Sequence, residues 1–294
     1  MPSGGYSLRR KCFVCDGKGV LPRNYNPGFE APTLEIRKTP KMCPCCGGIG
    51  ETDRLAARDL YGSHIGQLCF IVGCGPSIEK AEKYLQKSRP DHVFCIALND
   101  AIQRVPADYW LWIDGAAYQK NAGCDNARAA RRLGVDYFSG IYDPDVYVWE
   151  RALKLPEDVR KLKVLHRATS LVAALNMACL LGAVRVVTIG CDHKVTDEYL
   201  EAKRKEIEEA NPQMKGKPLA DLRGLYDYTF KRIEQALSEM ILWKPDWVSF
   251  ADASGGDLPL PKTWVNIELQ MVKEAWSRIE DGKAVMELGN AVSS

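Results

Sequence analysis

Apolar positions fall into two kinds of run along this chain, and their alternation sets the expected architecture. Residues 68–72 form a continuous apolar stretch of strand length. Gly73-Cys74-Gly75-Pro76-Ser77 follows as a turn, and Ile78-Glu79-Lys80-Ala81-Glu82-Lys83 then has helical spacing. Strand, tight turn and helix in that order predict the first βα unit of a nucleotide-binding sheet. A second strand is expected over 91–98, ending at Asn99-Asp100, and a third over 107–113, ending at Asp114-Gly115. Residues 126–133 read as a basic amphipathic helix, 136–141 as a strand, 142–157 as a loop and 164–166 as a short strand.

From Thr169 to Leu181 the pattern is helical and apolar almost all round, which predicts a central helix ending at Gly182. Residues 184–189 then read as a buried strand running into Gly190-Cys191-Asp192-His193-Lys194. A charge-dense helix and loop (203–217), an amphipathic helix (219–242), a last strand (246–250) and a closing helix (264–279) complete the pattern. The expected fold is α/β: a Rossmann-like (GT-A-like), mostly parallel sheet over 67–268 with helices on both faces, then a C-terminal helix and tail over 269–294.

The first 66 residues follow a different rule. Cys12-Phe13-Val14-Cys15-Asp16-Gly17-Lys18-Gly19 and Cys43-Pro44-Cys45-Cys46-Gly47-Gly48-Ile49-Gly50 repeat the pattern C-x-x-C-x-G-x-G. Zinc takes four thiolates in a tetrahedron, and each C-x-x-C turn supplies two of them, so Cys12, Cys15, Cys43 and Cys46 are the expected ligands of one structural zinc. Cys45 is a spare thiol that replaces Cys43 or Cys46 if the knuckle slips by one residue. The pattern resembles the cysteine-rich modules of the DnaJ chaperone family. Four prolines between Leu21 and Lys41 predict an extended loop, and residues 51–60 a short helix.

Charge and cysteine usage narrow the setting. The net charge is +2, but residues 1–60 carry ten Lys/Arg against six Asp/Glu, so the basic part is the front. Arg9, Arg10, Lys11, Arg37, Lys38 and Lys41 there are candidates for contact with nucleic acid or another acidic partner. Cys69, Cys95 and Cys179 lie inside apolar runs, as reduced buried thiols do. With no apolar run of membrane-spanning length and no apolar core after Met1-Pro2-Ser3-Gly4-Gly5, a cytoplasmic protein with no membrane partner is expected.

The candidate chemistry gathers at strand ends. Gly73 and Gly75 permit a sharp turn and close approach of a ligand, and the first helical N–H groups after them suit a phosphate. The turn is neither a Walker A loop nor G-x-G-x-x-G. Open α/β sheets collect ligands just beyond their carboxyl ends, which makes Asn99, Asp100 and Asp114 ligand candidates; a helix N-cap role for each stays equally open.

The order of these pieces resembles the family of bacterial CMP-sialic-acid-type sialyltransferases and the related MptE-like domains. The shared features are Gly-x-Gly-Pro-Ser after a strand, Asn ending the next strand, Thr-Ser opening a small-residue helix, and a strand running into Gly-x-Asp. The resemblance spans roughly residues 68–260. It implies that Gly73, Gly75, Pro76 and Ser77 form a nucleotide phosphate loop, with Cys74 standing where the family has Asn. It further implies that Asn99 bonds the nucleotide, Thr169 and Ser170 face the phosphate or transferred group, Gly190 and Asp192 line the base or ribose, and Ser254 lies in a turn after the last strand. The family's base is a His after Gly-x-Asp, but residues 195–260 contain no His. Tyr226, Tyr228 and Asp227 lie nearest in order, and His193, beside Asp192, is the other option for the base, with Ser77 assisting at the phosphate. A structural role for His193, bonded to a backbone carbonyl, is the competing expectation.

Three functions follow as expectations. The first is a glycosyltransferase moving a sugar from a nucleotide-activated donor to an acceptor hydroxyl, on a nucleic acid or other polymer. The second is a pterin-type diphosphokinase in which Asp114 and Asp192 hold Mg²⁺ on ATP. The third is a non-catalytic nucleotide- or nucleic-acid-binding protein.

Overall fold

The computed structural model describes residues 10–11, 18, 49, 51–52, 55–86, 89–113, 115–135, 145–148, 169–194, 196–210 and 212–280. Two strands, β1 (Arg10–Lys11) and β2 (Glu51–Thr52), form a short antiparallel pair. The remaining strands are β3 (Leu55–Ala56), β4 (Leu68–Val72), β5 (Val93–Leu98), β6 (Tyr109–Trp112), β7 (Arg131–Val135), β8 (Val146–Val148), β9 (Arg185–Ile189) and β10 (Ser249–Asp252). They build one eight-stranded sheet in the order β10-β9-β4-β5-β6-β7-β8-β3. Every strand pair within it is parallel.

Burial on both faces is what lets these strands be continuous apolar runs. Along β4, Cys69 and Ile71 point into one core, with Phe94, Ile96 and Leu98 of β5 beside them. Leu68, Phe70 and Val72 point into the other, with Cys95 and Ala97. Helix α4 (Ser170–Leu181) covers the first face together with α6 (Leu219–Trp243), through Ile233, Ala236, Leu237 and Met240. On the second face lie α1 (Ile78–Leu85), α2 (Gly115–Asn121), α3 (Asp125–Ala129) and the start of α7 (Val265–Glu280). Helix α5 (Asp197–Ala210) packs against α6 through Leu200, Ile207 and Leu222. The α/β class with helices on both faces of a parallel sheet is therefore the observed architecture.

Helix α4 is apolar all round because it is enclosed all round, and every residue from Leu171 to Leu181 is buried. Its C-terminus ends on Gly182, whose φ of 94° an L side chain rarely adopts. The segment before β4 closes that end: the N–H groups of Gly62, His64 and Gly66 donate to Leu180, Leu181 and Gly182 carbonyls at 3.0, 2.7 and 3.1 Å. On the far side, Arg185 of β9 holds the Glu268 carboxylate with two bonds, at 3.1 and 2.6 Å, so α7 is fixed to the sheet.

Several expected elements are corrected. The basic helix expected over 126–133 is the short α3 followed by β7, because Arg131 pairs with Tyr109 in the ladder. Arg132 is held there by the Asp145 carboxylate, which takes its guanidinium and its N–H. Part of the expected loop 142–157 is strand β8. The helix expected over 51–60 is two short strands and a 3-10 turn at Ala57–Leu60. The last strand begins at Ser249 rather than Asp246, since the chain first turns through Pro245, whose carbonyl accepts the Val248 N–H. The strands expected over 136–141 and 164–166 lie outside the described residues.

Candidate functional site at the carboxyl ends of β4, β5 and β9

The chain steps outward from β4 through β5, β6, β7 and β8, then crosses back to place β9 on the other side of β4. Strand order reverses there, and at such a point the loops leaving two neighbouring strands diverge and open a crevice beyond their carboxyl ends. The loop 73–77 leaves β4 at this point, Asn99 follows β5, and Gly190 to Lys194 follow β9. Helix α4 enters from the same edge, because its other end feeds the start of β9. Asn99 Nδ2 reaches Ser170 Oγ at 3.4 Å across the gap.

The loop after β4 is tied to protein. Gly73 N–H donates to the Ile189 carbonyl at 2.8 Å, Gly75 N–H to Gly190 at 2.7 Å, Ile78 N–H to Gly75 at 3.0 Å and Ser77 N–H to Asp192 Oδ2 at 3.1 Å. The amides of Gly73, Gly75 and Ser77 thus close the loop onto the end of β9 and the turn after it, and that of Ile78 closes the loop on itself. A methyl group on Gly73 would come within 2.5 Å of the Gly190 carbonyl, and one on Gly75 would overlap Asp192 Oδ2. Close approach of two backbones, rather than of a ligand, is what both glycines permit here. Pro76 has no N–H to offer, and the exposed Cys74 turns its thiol to the Leu98 carbonyl at 3.3 Å.

Three expected ligand contacts serve as struts in the same closure. Ser77 Oγ donates to Asp192 Oδ2 at 2.9 Å and accepts the Gly190 N–H at 2.9 Å. Asp192 thus sits at the start of α1, where a carboxylate suits the helix dipole. Ser254 is buried, accepts the Cys191 N–H at 3.0 Å and donates its own N–H to Asp252 Oδ1 at 3.0 Å. Burial pushes the Cys191 thiol well above the usual range, reinforced by Asp252, Cys74 and Asp192 nearby. Asp100, too, is occupied structurally, accepting from Asn121 Nδ2 at 2.7 Å and from Lys120.

A second group behaves differently. Asn99 Oδ1, Thr169 Oγ1 and His193 Nε2 are buried and have no hydrogen-bond partner. An unsatisfied buried polar atom costs about 1–3 kcal/mol, so three along one sheet edge stand out. Thr169 is the N-cap of α4, yet its hydroxyl makes no capping bond. Asn99 and His193 hold φ of 45° and 50°, and with His92 they are the non-glycine residues with positive φ among those described. Backbone strain of this kind persists where the surroundings over-determine it, often at binding sites. Strand β4 separates β5 from β9, so Asn99 and His193 leave strands roughly 10 Å apart.

His193 is positioned by α6. Its ring packs on Phe230 with centroids 4.1 Å apart. Its Nδ1 lies 4.0 Å from Glu234 Oε1, and its buried Nε2 has no hydrogen-bond partner. Burial lowers its pKa, against the opposing pull of Glu234, the Phe230 backbone and Asp257. Tyr226 lies one turn earlier on α6, edge-on to Tyr199 at 6.0 Å. The sequence pattern pointed to His193 but not to Phe230 and Glu234, which reach it only through the packing of α6. Trp112, whose buried Nε1 is also unpartnered, was likewise read only as part of a strand.

The proposed zinc ligands Cys12, Cys15, Cys43 and Cys46, the spare Cys45, and Asp114 lie outside the described residues. Among the described residues no group of three or more His, Cys, Asp and Glu is arranged to hold a metal. Nor, among them, is any helix long and apolar enough to cross a membrane. The chain matches no family model, no curated protein and no solved structure.

Proposed function

We propose that the region around Asn99, Thr169 and His193, at the carboxyl ends of β5, β4 and β9, binds a nucleotide-activated sugar and that the chain is a glycosyltransferase-like enzyme acting on an acceptor hydroxyl. The observation that carries this is the set of unpartnered buried atoms on Asn99, Thr169 and His193, on three separate elements at the point of strand-order reversal. The ordered resemblance to the sialyltransferase and MptE-like family supports it. In this reading Asn99, Thr169 and Ser170 hold the nucleotide side, and His193 Nε2 takes the acceptor proton. The acceptor oxygen bonds the anomeric carbon as the bond from that carbon to the phosphate oxygen breaks, and the nucleotide leaves with the electron pair.

Zinc bound by Cys12, Cys15, Cys43 and Cys46 is part of the proposal. The pairing of β1 with β2 supports it: Lys11, just before Cys12, lies opposite Glu51, just after Gly50. The ends of the segment that holds both knuckles are thereby brought together. We propose that this basic module contacts a polymeric acceptor, nucleic acid being one candidate.

The test is a thermal-shift screen of the full chain against CMP, UDP, GDP, ATP and their sugar conjugates. A ligand that binds only the folded form raises the melting temperature. A shift with a sugar conjugate that Asn99→Ala removes supports the reading; no shift with any conjugate overturns it. A non-catalytic binding role is the second reading. It is favoured by the closure of Ser77 onto Asp192, which leaves that hydroxyl no part in transfer, and binding without turnover would establish it.

A further inference from the structure

We infer that the outer face of α7 docks a second copy of this chain, pairing the two α7 helices antiparallel about a two-fold axis. The inference does not rest on the ligand proposed above. Helix α7 is buried on one side only: Val265, Leu269 and Val272 pack into the second core, and Arg185 holds Glu268. Trp264, just before the helix, and Ile267 and Met271 recur at i, i+3 and i+7, so they form one stripe turned away from that core. They are 64, 45 and 39 % exposed. Single exposed apolar residues are ordinary, whereas a continuous apolar stripe over two turns marks an interaction surface. The three side chains present on the order of 300 Å² of apolar surface. Two such stripes with their polar borders make an interface of about 1,200 Å² in total, the low end for a specific pair, so the association is weak and reversible.

Charge selects both the partner and the direction. Trp264 lies three residues before Ile267, and Glu274 three after Met271. An antiparallel pair that sets Ile267 against the partner's Met271 therefore also sets Trp264 beside the partner's Glu274. Glu274 is exposed on α7, where its carboxylate accepts from Gln270 Nε2 at 2.7 Å. Beside Trp264 stands a cation: Lys80 Nζ lies 6.0 Å from the centre of the indole ring. Two of its three donors go to the Ala253 and Ser254 carbonyls, at 3.1 and 2.9 Å, and the third has no partner among the described residues. The partner's Glu274 meets that ammonium, and the two-fold axis repeats the pair at the other end of the seam. A parallel pair would instead bring the two Glu274 carboxylates together, which like charges oppose. The stripe is thus complementary to itself in one orientation, as an isologous interface requires.

Sedimentation equilibrium of the full chain tests this. The expected result is a monomer–dimer equilibrium with a dissociation constant in the micromolar range, weakened by added salt. Ile267→Glu puts a charge at the centre of the seam on a residue already exposed. It should leave the chain monomeric throughout, with its far-UV circular dichroism unchanged. Glu274→Lys sets like charges at both ends of the seam and should weaken the dimer at least tenfold. Leu242→Ser alters a more exposed apolar residue on α6, which covers the other face of the sheet, and should leave the equilibrium as it was. A parent chain that stays monomeric at about 100 µM, far above the affinity expected of such an interface, overturns the inference, whether residues 281–294 or another macromolecule takes the stripe. A dimer that survives Ile267→Glu, or one that Leu242→Ser dissolves, overturns it by placing the seam elsewhere. A dimer as tight in Glu274→Lys as in the parent overturns the antiparallel pairing, and that variant decides the matter if Ile267→Glu does not fold.

Discussion

The Asp192 carboxylate accepts both the N–H and the hydroxyl of Ser77, at 3.1 and 2.9 Å, so one oxygen fastens the loop after β4 to the loop after β9. Ser77 also accepts the Gly190 N–H. Ser77→Ala removes two hydroxyl bonds and leaves a buried N–H short of a partner. Urea unfolding should show a loss of about 1–3 kcal/mol. If Ser77 were instead a group acting on phosphate, stability would hold and only ligand binding would fall.

The glycines of this junction should be intolerant in a graded way. A methyl on Gly256 would overlap the Asp192 carbonyl, and one on Gly75 the Asp192 carboxylate. Gly256→Ala and Gly75→Ala should each lower the yield of folded protein. Gly224, exposed within α6, has nothing within 4 Å of an added methyl. Gly224→Ala should raise stability by about 0.5–1 kcal/mol, measured by the same unfolding curve.

Asp252 gives a dependence on pH. Burial alone would raise its pKa, but bonds from Lys262, Ser254 and Thr188 outweigh that and lower it. A carboxylate with a lowered folded pKa contributes stability that is complete above its unfolded value near pH 3.9 and is lost as pH falls through the folded value. Lys262→Met removes the charged partner at 2.9 Å. Its cost, about 1.5–3 kcal/mol at pH 7, should shrink on acidification as Asp252 takes up a proton. A deficit that stays constant from pH 7 to pH 3 would exclude Lys262 as the source.

Metal analysis of the full chain should find about one zinc per molecule, lost in Cys12→Ser, as four thiolate ligands on one ion require. Chelation should leave the circular dichroism of the sheet in place, because the described core is built without those cysteines. A metal content unchanged by Cys12→Ser would rule out the proposed ligand set.

Much of the fold was legible because β4, β5 and β6 are buried on both faces and therefore write themselves as unbroken apolar runs. Strand β7 escaped because Arg131 and Arg132 look like a solvated helix face until the Asp145 carboxylate, 13 residues away, is known to hold Arg132. Strands β3 and β8 are too short to show a period. At the site, Asn99, Thr169 and His193 were visible as polar residues beside the ends of apolar runs. What Asp192 does was not, since its partner is 115 residues distant and only the fold brings the two together. The same limit hid Phe230, whose ring meets His193 only because α6 packs beside the turn after β9.

The clasp of Gly62, His64 and Gly66 on the end of α4 decides where this molecule can be cut. A fragment starting at β4 would strand three carbonyls of an enclosed helix in apolar surroundings, with no water to take the place of the missing donors. The smallest self-sufficient piece therefore begins upstream of Gly62. What looks in the sequence like a connector between two modules is, in physical terms, the stopper of the helix whose opposite tip carries Thr169.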